Sequence, residues 1–150
     1  MSFWEKGYLA TGLAVLVAGA GYFYFVWQQS LALGQVAPPN WLTFGVYLGV
    51  VTLISVTSFI VLGSFEAVQS EDAETVGDFD ERDRFVNMKS LATTSYITSV
   101  GAYAALVWFL FHQDGSLLFH SLIGALMIGA AAMCFLHLFN YNRAYWYGEA

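Results

Sequence analysis

The chain has 150 residues, of which 58% are hydrophobic and only 11% charged, whereas a soluble domain carries about 25% charged residues. Its net charge is −6, and five Lys and Arg residues make no basic surface for direct nucleic-acid binding. One cysteine, Cys134, excludes an internal disulfide and a C-x-x-C redox pair. The apolar residues come in blocks of about 20, the length of membrane spans.

Met1 to Lys6 is a short polar lead carrying Glu5 and Lys6. The first predicted span, residues 7–27, has no charge and is rich in Gly and Ala. It ends in the aromatic run Tyr22 to Trp27, of the kind found at the headgroup level. It is too long for a signal-peptide core and lacks a small-residue cleavage pattern, so it reads as a span of the mature protein.

The first connection, Gln28 to Asn40, is uncharged, and Pro38-Pro39 bars a continuous helix. The second span covers residues 41–63. Gly45 and Gly49 lie four apart on one of its faces, where a neighbouring backbone can come close, either within the subunit or in a dimer.

Residues 64–89 form the longest polar segment, with eight acids between Glu66 and Asp83. Asp80 is placed to cap a third helix, with Asp83 three residues on. That helix starts in water and enters the bilayer near Leu91, for a third span over 91–111. A tight turn, His112 to Ser116, makes the third and fourth spans antiparallel neighbours. The fourth span covers 117–139, with Ala125 and Gly129 as its close-packing pair. A polar and aromatic tail follows.

The predicted fold class is therefore all-α: one integral-membrane domain, an antiparallel four-helix bundle. All five basic residues, Lys6, Arg82, Arg84, Lys89 and Arg143, fall on one side of such a bundle. The positive-inside rule then makes both termini and the long loop cytoplasmic, in the inner membrane of a cell.

No Asp, Glu, Lys or Arg lies in a span core, which weighs against a coupled transporter but not a passive pore. His112 and His120 both lie near the external face, and their expected partners are water or headgroups. A haem held between them is the competing reading. His137 is about 25 Å from His120 along a helix. The acidic loop lacks the glycine and distal Glu of an EF-hand. No catalytic residue, cofactor or metal is therefore expected.

The run Asp80-Glu81-Arg82-Asp83-Arg84-Phe85-Val86 resembles the signature of a family of small prokaryotic membrane proteins of unknown function. These have four spans and a D-E-R-D-x-hydrophobic motif before the third. The tail Asn142 to Gly148 is similar to the basic-aromatic ending of that group, with aromatics where the group has more arginine. Some such proteins are encoded beside helix-turn-helix regulators, so the resemblance implies a membrane partner of a transcription factor. It implies no catalytic residue.

The expected function is a non-enzymatic regulatory or scaffolding partner that docks a protein at its cytoplasmic face. The expected docking or capping residues are Asp80, Glu81, Arg82, Asp83, Arg84 and Arg143. An accessory subunit of a larger membrane complex and a small oligomeric channel or transporter are the alternatives, and a homo-oligomer is compatible with each.

Overall fold

A computed structural model of the chain describes residues 3–69 and 81–147, with side chains described over 5–64 and 84–140. Four helices account for nearly all of it: α1 (Phe3–Leu33), α2 (Trp41–Gln69), α3 (Glu81–His112) and α4 (Gly115–Tyr147). No strand occurs among the described residues. Each helix is long and apolar enough to cross a membrane.

The helices run for 29 to 33 residues, whereas about 20 cross the hydrocarbon layer. Each therefore continues past its apolar run, α2 by six residues and the other three by about ten. Hydrophobicity marks where lipid begins and ends. It does not mark where the backbone stops being helical, and only a cap or a breaker does that.

Those stops are visible. Gly34, with φ of +67°, takes the left-handed conformation that ends α1 after Leu33. Asn40 opens α2, its side-chain carbonyl accepting from the Leu42 N–H at 2.9 Å. Gln113 ends α3 at φ of +53°, an uncommon left-handed conformation for a side chain other than Gly or Asn. Asp114 then caps α4, its carboxylate accepting from the N–H groups of Ser116 at 2.8 Å and Leu117 at 3.1 Å. The turn between α3 and α4 is thus shorter than the sequence suggests.

Packing order is α2–α1–α4–α3. α1 packs on α2 and α4, and α4 on α1 and α3; the α2 and α3 backbones do not meet among the described residues. Contact register makes every adjacent pair antiparallel. Between α1 and α4, Gly12 faces Cys134, Gly19 faces Met127 and Phe23 faces Gly124. Between α3 and α4, Thr98 faces Gly129 and Gly101 faces Ala125. Between α1 and α2, Gly7 faces Phe59 and Tyr22 faces Tyr47.

The start of α1, the end of α2, the start of α3 and the end of α4 therefore lie at one end of the bundle, the loop end. The 34–40 connection and the α3–α4 turn sit at the other, the turn end. Small residues on α1 and α4, such as Gly12, Ala14 and Gly19 and Ala125 and Ala131, let the helices approach closely, and a cluster of Tyr22, Val26, Ile123 and Met127 fills the interior toward the turn end. Other large apolar residues point outward, such as Val17 (73% exposed) and Leu53 (70%). That is the arrangement for a lipid-embedded protein and would be untenable in water.

Candidate functional site

At the loop end, polar side chains from three helices meet inside the bundle. His137 of α4 is fully buried, and Glu5 of α1 nearly so. The Tyr8 ring of α1 lies against the His137 imidazole, with centroids 4.0 Å apart and planes at 32°. The Tyr8 hydroxyl donates to the Asn87 side-chain oxygen of α3 at 3.3 Å. Phe59 of α2 meets the Tyr8 ring edge-on at 6.4 Å. Tyr8 thus touches one residue from each of the other three helices. The Glu5 carboxyl interacts electrostatically with His137. One turn along, the Asn140 amide of α4 donates to the buried Ser90 hydroxyl of α3 at 3.0 Å.

This cluster holds α1, α3 and α4 together just beneath the charged start of α3. α3 begins at Glu81, and Val86 and Ser90 are buried within its first three turns. The charged end of α3 is therefore the continuation of a packed helix. Arg84 is exposed. Lys89 is exposed and lies 5.9 Å from the centre of the Phe85 ring. Asp80 lies outside the described residues, as do the side chains of Glu81, Arg82, Asp83 and Arg143.

A second buried polar cluster lies at the turn end. His120 of α4 is buried, and both ring nitrogens are engaged. Its Nε2–H donates to the Ala37 carbonyl at 2.9 Å. In the neutral ring this leaves Nδ1 to accept from the Tyr22 hydroxyl, also at 2.9 Å. Ala37 is fully buried, and its N–H donates to the Ser30 hydroxyl at 2.9 Å. The 34–40 connection is thereby strapped across the ends of α1 and α4.

The expectation of water or headgroup partners for His120 is replaced here by protein partners. The reason is Ala37, which the folded-back connection brings within reach. His112 is exposed, stacks on Trp108 at 4.4 Å, and its Nδ1 donates to the Trp108 carbonyl one turn back at 3.1 Å. His120 has no free nitrogen with which to share a ligand with His112. Among the described residues, no group of three or more His, Cys, Asp or Glu is arranged to hold a metal.

The glycine pairs separate. A Cβ on Gly129 would collide with Thr98, and Ala125 fills the space in front of Gly101. Gly45 and Gly49 are exposed, and nothing lies within 4 Å of where their Cβ atoms would be. That face of α2 points away from its own subunit.

The loop-end cluster is not expected from the sequence, in which Glu5 falls in a polar lead and His137 stands about 25 Å from His120 along a helix. The available signal was the spacing of polar residues near the ends of the apolar runs: Glu5 and Tyr8, Asn87 and Ser90, His137 and Asn140. Each pair sits three apart, on one helical face. Comparison with protein-family models, with curated proteins and with solved structures gives no match to this chain.

Proposed function

We propose that this protein is a non-enzymatic regulatory or scaffolding component of the inner membrane. Its loop end faces the cytoplasm, and a protein partner docks on the charged segment from Glu66 to Lys89. The docking residues are Asp80, Glu81, Arg82, Asp83 and Arg84, together with Arg143 of α4. The orientation rests on the five basic residues, all at the loop end. A partner in the form of a helix-turn-helix regulator rests on the resemblance of the Asp80 to Val86 run.

The observation that carries this reading is the anchoring of α3. Its charged first turn leads directly into Val86 and Ser90, both buried against the bundle. Charge is thus presented on a helix fixed by packing, and a fixed surface binds at lower entropic cost than a free loop. The segment also joins α2 and α3, which flank the central α1–α4 pair on opposite sides.

The test is charge reversal. The triple variant Asp80→Lys, Arg82→Glu and Asp83→Lys, expressed in native membranes, should lose a stoichiometric partner that the unaltered chain retains in mild detergent. Insertion and yield should be unchanged. Retention of the same partner by the variant ends the docking reading.

A further inference from the structure

α3 is the least apolar of the four spans, yet only α2 is less buried than α3. Lipid is a poor cover for such a helix. Its exposed face explains the mismatch. Ala92, Tyr96, Ser99 and Tyr103 recur at spacings of four, three and four, which places them on one side of the helix. All are exposed, Tyr96 at 75% and Tyr103 at 69%. The opposite side, through Val86, Ser90, Thr98, Gly101 and Ala105, is the side packed on α4.

Depth makes the exposure costly. The α3 span runs over the 29 residues Arg84–His112. Any stretch of about 20 of these taken as the membrane-buried part includes Tyr96, Ser99 and Tyr103. Two neighbouring hydroxyls satisfy themselves on their own helix: Thr93 donates to the Lys89 carbonyl at 3.0 Å and Ser95 to the Leu91 carbonyl at 2.9 Å. A tyrosine hydroxyl stands too far from its own backbone to do this. Among the described residues neither Tyr96 nor Tyr103 has a hydrogen-bond partner in the subunit. A hydroxyl left in hydrocarbon without one is strongly disfavoured.

We propose that this face of α3 is the interface of a homodimer, covered by the same face of a second copy of the chain. The chemistry favours a second copy over a different protein. Hydroxyls both donate and accept, so a row of them is its own complement. The row contains no charge that would call for an opposite charge. Two copies inserted with the same orientation are related by an axis along the membrane normal. Across that axis Tyr96, Ser99 and Tyr103 each meet their own counterparts. Ala92 and Ser99 are small enough for the two helices to approach closely. This interface is independent of the charged segment.

The test uses the full chain. Ser99→Cys, oxidised in native membranes, should give a cross-linked dimer at least tenfold more efficiently than Val17→Cys on α1 or Leu53→Cys on α2, both of which face lipid. The native Cys134 is buried and stays in place. Separately, the unaltered protein should have the mass of two chains in mild detergent and in lipid nanodiscs. The combined variant Tyr96→Phe, Ser99→Ala and Tyr103→Phe keeps the shape of the face and should raise the dimer dissociation constant about tenfold. A monomeric mass in both environments overturns the proposal. So does cross-linking at Leu53→Cys equal to or above that at Ser99→Cys, or cross-linking of Ser99→Cys to a different protein.

Discussion

The Tyr8 ring on α1 lies 4.0 Å from the His137 ring on α4, and the same side chain reaches Asn87 on α3 and Phe59 on α2. One residue near the start of the chain is thus the meeting point of all four helices at the loop end. The ring contributes more than the hydroxyl. It fills space between three helices, whereas the hydroxyl makes one long hydrogen bond at the membrane edge.

Two substitutions at Tyr8 separate these contributions. Tyr8→Phe keeps the ring and should cost about 0.5–1 kcal/mol. Tyr8→Ala removes it and should cost about 3–5 kcal/mol, the range for deleting a large aromatic side chain from a packed site. Thermal unfolding in detergent gives both values. Equal losses would show that the ring packing is idle.

At the turn end, the Tyr22–His120–Ala37 chain holds the 34–40 connection down. His120→Ala removes an acceptor for Tyr22 and a donor for Ala37 at once, leaving two buried groups unpaired at about 1–3 kcal/mol each. Tyr22→Phe breaks only one of these bonds. Hydrogen exchange at the Ala37 amide should therefore rise more in His120→Ala than in Tyr22→Phe, while exchange at α3 amides stays unchanged. Equal exchange at Ala37 in both variants would mean that something other than His120 holds the connection.

The contrast between the glycines gives a third expectation. Gly129→Ala places a methyl group against Thr98 and should destabilise the α3–α4 pair by about 1–3 kcal/mol. Gly49→Ala meets nothing within 4 Å in its subunit, and should stay within about 0.5 kcal/mol of the unaltered chain. A loss at Gly49→Ala as large as that at Gly129→Ala would place a second interface on α2.

These contrasts show what the sequence discloses. Four spans and an all-helical fold follow from block lengths, because lipid demands about 20 apolar residues per crossing whatever the partners. Which faces pair does not follow. Gly45/Gly49 and Ala125/Gly129 have the same spacing, yet only the second pair packs inside the subunit. Spacing fixes which residues share a face, and the direction of that face depends on helices far away in sequence. The same holds for Glu5 and His120, whose burial depends on a residue more than 100 positions away and on a folded-back connection. Asp80 and its neighbours, where the sequence is richest in charge, lie largely outside the described residues.

The last expectation concerns sidedness, on which the docking reading depends. Arg84 and Gln113 are both exposed, at opposite ends of α3. With the loop end in the cytoplasm, a membrane-impermeant maleimide applied to intact cells should label Gln113→Cys and spare Arg84→Cys until the membrane is permeabilised. Cys134 is buried and should give only a low, constant background. Gln113 caps α3 in the left-handed conformation, so Ser116→Cys, at the start of α4, serves as a second reporter of the same side. Labelling of Arg84→Cys alone in intact cells would invert the protein. That would set the acidic segment outside, against the distribution of all five basic residues, and would leave no cytoplasmic surface on which a regulator could dock.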